Sequence, residues 1–222
     1  MTFTSTLSKE MNIWLGKKIE TKLIYLGAGD GSKNLFARAI DLISMSKKKI
    51  TNSKKNGIKK YKKQPNNSIG FIKSLILSLN IISIVYDNYR TINKMHKYRL
   101  NGGYSITDRY PQLQQMGIND GPKISILYEK AKTNYLKELS KIEAKILKRT
   151  VDIKPDLIFR LNISTETSMK RKPEQNNYKY FEEKTKKVAE LKFPDTLIFE
   201  INAEKDLAEI LLQIKEIIWE YL

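Results

Sequence analysis

The chain has no cysteine and a single histidine, His96, among 222 residues. The first absence excludes disulfides, thiolate zinc sites and cysteine nucleophiles, and it suits a reducing cytoplasm, the expected location. The second excludes Ser-His-Asp hydrolysis and multi-histidine metal centres. His96 lies inside a helical pattern and reads as a surface or packing residue. No secretory signal is expected from residues 1–20, because Lys9, Glu10, Lys17 and Lys18 interrupt any apolar stretch there. One apolar run, residues 69–86 (IGFIKSLILSLNIISIVY), reaches the lower length limit for a membrane span. It contains Lys73, Asn80 and three serines, and Asp87 and Arg90 follow it closely. A buried helix is the expected outcome, with no membrane partner.

Acid is scarce: 24 Asp and Glu face 41 Lys and Arg, for a formal net charge of +17. Such an excess raises the question of nucleic acid. Residues 47–63, KKKITNSKKNGIKKYKK, hold nine lysines and no acid, so about half of the excess is one low-complexity stretch. Elsewhere lysines alternate with glutamates, as in residues 128–148, which reads as a solvated helix surface. Residues 47–68 are therefore expected to be a basic insert. With Tyr61 as its sole aromatic it lacks the stacking platform of a single-strand binder, and nucleic acid is not the expected partner. The alternative is a non-enzymatic protein that binds nucleic acid or an anionic surface through residues 47–63. Such binding would fall steeply with salt and vanish with the insert.

The hydrophobic content of 41%, with 12 Tyr and 7 Phe, is that of a globular chain, and the length suits one domain over residues 1–222. Helical spacing marks residues 4–16, weakly 35–45, then 69–100, 122–150, 165–172, 178–191 and 206–219. Short apolar runs at 22–26, 104–107, 156–162 and 196–201 read as strands. Strands alternating with helices predict an α/β domain with a mainly parallel sheet.

Ligands of such sheets bind beyond the carboxyl ends of the strands. Three features fall there: the glycine-rich residues 27–31 (GAGDG), Thr107-Asp108-Arg109-Tyr110, and the turn at 162–164. Glycines let backbone N–H groups approach a phosphate, although glycine-rich turns also occur without a ligand. A carboxylate can hold hydrated magnesium and a guanidinium can clamp a phosphate, although an Asp-Arg pair can equally be a surface ion pair. Its place directly after a strand favours the ligand.

Residues 103–111 (GYSITDRYP) resemble the strand and DRY motif of thymidylate kinases. Residues 155–164 (PDLIFRLNIS) resemble that family's PDL strand, and 165–174, with Met169-Lys170-Arg171-Lys172, resemble its helix entering a basic lid. Ile201-Asn202-Ala203 and the closing helix are similar to its adenine-side loop and last helix. KLIYLGAGDGS at 22–32, with a long helix after it, is closer to a divergent branch than to the housekeeping enzyme. The likeness covers nearly the whole chain except the insert. It implies a P-loop NTPase-like parallel sheet flanked by helices, and transfer of the ATP γ-phosphoryl group to dTMP or a related monophosphate, with Mg2+.

By that resemblance Asp108 acts near magnesium or the acceptor phosphate, and Arg109 binds that phosphate. Arg171, with Lys170 and Lys172, neutralises the transferring group. Gly29, Asp30, Asp87, Arg90 and Tyr110 serve the substrate, and Asn202 and Ala203 the adenine side. The family also needs G-x-x-x-x-G-K-[ST], which is absent from this sequence. Residues 4–9 (TSTLSK) resemble the stretch just after the glycine of that loop. Ser5 and Thr6 would then lie at the nucleotide phosphates, Ser5 as a magnesium ligand, with Thr4 where the lysine belongs. The expectation is a chain that starts within the motif, without the central strand before it. Two neighbouring strands would then keep unpaired edges beside an incomplete core. Homodimerisation through the helix at 69–100 is the expected self-association.

Overall fold

The computed structural model describes residues 3–26, 71–172 and 177–221. In chain order the elements are α1 (Phe3–Leu15), β1 (Thr21–Ile24), α2 (Phe71–Leu100), β2 (Tyr104–Thr107), α3 (Ile124–Ala131) and α4 (Asn134–Val151). Then come β3 (Leu157–Asn162), α5 (Thr165–Lys170), α6 (Tyr178–Ala189), β4 (Leu197–Asn202) and α7 (Leu207–Tyr221). The expected helix at 35–45, the glycine-rich residues 27–31 and the insert at 47–68 lie outside the described residues.

The apolar runs LIFRLN and LIFEIN pair in parallel as β3 and β4, with Phe159 opposite Phe199 and their rings stacked 5.8 Å apart. β1 pairs with β2, also in parallel, with Leu23 opposite Ile106. The described strands thus form two sheets of two strands, not the single sheet that the alternation of elements predicts. A cavity of about 1750 Å3 lies against β2 and β3. The architecture is α/β with small parallel sheets flanked by helices.

Helix spacing places the layers. Leu7 and Met11 of α1, one turn apart, join Ile210 and Ile214 of α7 over Ile201 of β4. Ile106 of β2 and Phe159 of β3 pack against the same cluster, so one helical layer serves both strand pairs. The opposite side of β1 and β2 is covered from α2, where Ile92 and Met95 cluster with Leu26 beside Ile24 and Ile153.

α2 begins within two residues of its expected start and ends at Asn101-Gly102, where Gly102 takes φ +81. By length and composition it could cross a membrane. In the fold it buries one stripe at three- and four-residue spacing, including Ser78, Ile81, Val85, Asn88 and Ile92, instead of burying all round. Phe71 and Ile72 remain exposed.

The single helix expected over 122–150 is two. Lys132 stops α3 in the left-handed region at φ +53, and Thr133 is extended. Glu143 of α4 supplies the physical reason. It is fully buried, and its two oxygens accept the backbone N–H groups of Lys123 and Ile124 at 2.8 Å each. A continuous helix would hold Glu143 about 30 Å from Lys123, at 1.5 Å per residue. Folding back brings the carboxylate onto the donors that the start of α3 leaves free.

Candidate functional site

β2 delivers Asp108-Arg109-Tyr110 to the carboxyl end of the sheet. The Asp108 side chain is 3% exposed and accepts from Arg109 Nε at 3.3 Å. Its Oδ1 is buried and has no hydrogen-bond partner. Burial pushes the Asp108 carboxyl above its ordinary value, and the Arg109 guanidinium and the Leu26 backbone oppose that shift.

Arg109 is held from three sides. Besides Asp108, its Nη2 donates to the Tyr25 hydroxyl at 2.9 Å, and Nη1 lies 3.9 Å from Asp120 Oδ2. The guanidinium also stands 5.1 Å from the centre of the Tyr25 ring. Asp120 is 7% exposed and reaches Lys123 Nζ at 3.4 Å. A side chain fixed this way is preorganised for a planar anion, because little rotamer freedom is left to lose on binding.

The loop behind Asp120 is strained. Asn119 and Asp120 take φ +43 and +56, a region that costs about 1 kcal/mol or more for a residue with a side chain. Gln112 pins it: its buried amide donates to the carbonyls of Gln115 and Ile118 and accepts from the Gln115 N–H at 2.7 Å. A Cβ on Gly121 would stand 2.2 Å from both Gln112 Nε2 and the Gln115 carbonyl oxygen. Gly121→Ala is therefore expected to destabilise the protein by about 1–3 kcal/mol, seen as an earlier midpoint in urea unfolding. An unchanged midpoint would show that the loop yields freely.

Tyr110 lines the same cavity as Asp108 and Arg109, but its hydroxyl is already bonded. Its hydroxyl donates to the Ile153 carbonyl, and burial pushes its pKa up to about 12. The side chain ties the end of β2 to the segment before β3.

The carboxyl ends of β3 and β4 carry a second polar group, which does not line the cavity that holds Asp108 and Arg109. Ser164 caps α5 by accepting the Thr167 N–H at 3.1 Å, as its sequence position predicts. Glu204 accepts from the Ser164 N–H and from Thr167 Oγ1, and these bonds hold its carboxyl below the ordinary value. Asn202 Oδ1 accepts the Glu204 N–H at 3.0 Å. Arg171, at the end of α5, donates to the Ala203 carbonyl at 2.9 Å and stacks 4.1 Å over the ring of Phe3. The turn of α1 that carries Ser5 and Thr6 therefore starts beside Arg171. Thr4 and Ser8 line the same cavity as Asp108 and Arg109.

Lys170 is exposed and Lys172 half-buried. Lys184 of α6 joins them: burial holds its ammonium below the ordinary value, and Lys172 and Arg109 push it further down. Like charges gathered this way favour an anion among them. Asp87 and Arg90 of α2 do not line the cavity that holds Asp108 and Arg109. Gly29 and Asp30 lie outside the described residues.

Sequence reasoning missed Tyr25, Asp120 and Lys184. Tyr25 read as part of the strand at 22–26, Asp120 fell just before the helix expected at 122–150, and Lys184 lay within the helix expected at 178–191. The one available signal was GINDGP at 117–122, an acid flanked by turn residues shortly after Asp108-Arg109.

The chain is 25% identical over 212 residues to the "Uncharacterized ATP-binding protein YghR" of Escherichia coli strain K12. The alignment covers 94% of this chain and 79% of that protein. The protein of the same name in Escherichia coli O6:H1 strain CFT073 matches to the same extent. No family model matches the chain.

Proposed function

We propose that this is a nucleotide-binding protein of the P-loop type, similar to thymidylate kinases, that takes a nucleoside monophosphate, dTMP or a relative, with ATP and Mg2+. The observation that carries the reading is Arg109, fixed between Asp108, Asp120 and Tyr25 at a strand's carboxyl end with Lys172 and Lys184 nearby. The similarity to proteins named for ATP binding supports it.

In this reading Arg109 clamps the acceptor phosphate, and Arg171 and Lys172 add positive charge where a phosphoryl group would pass. Among the described residues no group of three or more His, Asp or Glu could hold a metal. Magnesium needs only one or two carboxylates when phosphates complete its shell, and the unpartnered Oδ1 of Asp108 fits that need. Ser5 is the second protein ligand in the same reading. When bound, the ion would neutralise phosphate charge. Asn202 and Ala203 border the adenine side, and Asp87 and Arg90 remain candidates for the base. Self-association through α2 belongs to the same proposal.

The donor half is the weaker one, since no lysine stands at Thr4 to grip the ATP phosphates. Calorimetric titration of the 222-residue chain with dTMP, and separately with ATP plus MgCl2, tests both halves. Saturable dTMP binding is expected, with ATP weaker than about 1 mM, the weak end of ordinary enzyme substrates. Absence of binding by any nucleoside monophosphate would overturn the proposal. Tight magnesium-dependent ATP binding would overturn the weak donor half.

A further inference from the structure

Tyr25 engages the tip of the Arg109 guanidinium, and it is not built like a packing residue. Ile24 at the end of β1 pairs with Thr107 at the end of β2, so the next residues, Tyr25 and Asp108, leave the sheet side by side. Arg109 Nη2 donates to the Tyr25 hydroxyl at 2.9 Å, yet Tyr25 stays 41% exposed. Tyr110, by contrast, gives its proton to the Ile153 carbonyl. The Tyr25 oxygen accepts instead, so its own proton is left over, and no acceptor for it stands among the described residues.

A hydroxyl that accepts from a cation is polarised, and its O–H becomes the stronger donor. Arg109 keeps donors of its own. Nε serves Asp108 and one N–H of Nη2 serves Tyr25, while Nη1 lies 3.9 Å from Asp120, beyond hydrogen-bond length. The Tyr25 oxygen and Nη2 are thus two donors 2.9 Å apart, close enough to serve two oxygens of one phosphate. Lys184, which feels the charge of both Arg109 and Lys172, keeps the surroundings positive. A simple packing pair would need neither the exposed ring nor the unused proton.

We propose that Tyr25 is a substrate contact: it accepts from Arg109 and donates its own O–H to the acceptor phosphate, so that hydroxyl and guanidinium hold one phosphomonoester together. The proposal rests on the reading of Arg109 as the phosphate clamp, and it adds a residue to which the resemblance assigns no role. The hydroxyl serves the phosphate and not the nucleoside, so it selects nucleoside monophosphates over nucleosides. Phenylalanine at this position would keep a ring beside the guanidinium and lose both bonds.

The test is calorimetric titration with dTMP of the full chain as wild type, Tyr25→Phe, Arg109→Ala, Arg109→Lys and the Tyr25→Phe, Arg109→Lys double variant. Unfolding midpoints are measured beside it without ligand. Tyr25→Phe should bind dTMP about tenfold more weakly with its midpoint unchanged, and thymidine, which lacks the phosphate, should not distinguish it from wild type. In the Arg109→Lys background the same change should still cost about threefold or more, because the hydroxyl touches the phosphate itself. Full dTMP affinity in Tyr25→Phe beside a loss in Arg109→Ala would overturn the role of Tyr25 and leave the Arg109 clamp standing. Equal dTMP binding in all the variants, or none in wild type, would overturn the clamp and the proposal with it. A loss confined to chains that keep Arg109 would reduce Tyr25 to a support for the guanidinium and overturn the direct contact. A lowered midpoint with dTMP and thymidine weakened alike would overturn it too, as the mark of a purely structural role.

Discussion

Glu143→Ala is expected to destabilise the protein by about 3 kcal/mol, a drop in Tm of about 6–12 °C for a chain of this size. The carboxylate is buried on α4 and is the acceptor for both the Lys123 and Ile124 N–H groups. Truncation leaves two shielded donors without a partner and removes the contact that folds α4 back on α3. Glu143→Gln keeps one acceptor oxygen and should cost roughly half as much. Scanning calorimetry of the three proteins checks the order. A loss under about 0.5 kcal/mol for the alanine variant would show that water reaches both donors.

The same group makes stability depend on pH. Burial, against the pull of the two N–H bonds and Lys123, raises the Glu143 carboxyl above its ordinary 4.5. A raised folded value means that the folded state takes up the proton first. The stability this contributes is full below the unfolded value and is lost as pH rises through the folded one. Wild type should therefore gain on Glu143→Gln as pH falls into that window. A constant difference from pH 7 to 4 would place the Glu143 carboxyl at its ordinary value.

Arg109→Ala is expected to weaken dTMP binding about 10- to 100-fold, the loss of a charge-assisted clamp worth about 1.5–3 kcal/mol. Arg109→Lys keeps the charge but not the planar fork, and should recover only part of that. The alanine variant also leaves Asp108 and Asp120 facing each other without the guanidinium, so unfolding midpoints must be measured beside the calorimetry. Equal dTMP affinity in folded wild type and folded Arg109→Ala would remove Arg109 from the site. The raised Asp108 carboxyl adds a second signature. As pH falls through its value Asp108 protonates, so any magnesium-dependent part of the binding should fade at a higher pH than an ordinary aspartate would give.

Much of the fold could be read from local pattern. The strand at Tyr104–Thr107 and the cap at Ser164 fall where the sequence places them, and α2 stops at Asn101-Gly102. These features depend on residues a few positions apart, through side-chain period, turn chemistry and capping. The break at Lys132 carried no such signal. It comes from Glu143 bonding to backbone groups 19 and 20 residues earlier.

The site divides along the same line. Local pattern singled out Asp108 and Arg109, an acid-base pair directly after a strand, and the resemblance to thymidylate kinases added Arg171. The sequence could not show that Tyr25, 84 residues before Arg109, donates a ring and a hydroxyl to it, or that Asp120 closes the third side. Nor could it show that Arg171 stacks on Phe3, or that Lys184 comes near Arg109. Those pairings join side chains from different elements, and only packing brings such elements together. The sequence determined which elements form and where their polar ends fall. Tertiary structure decided that the described strands stand as two pairs around a cavity, because strand pairing is a contact between distant segments that no single segment encodes.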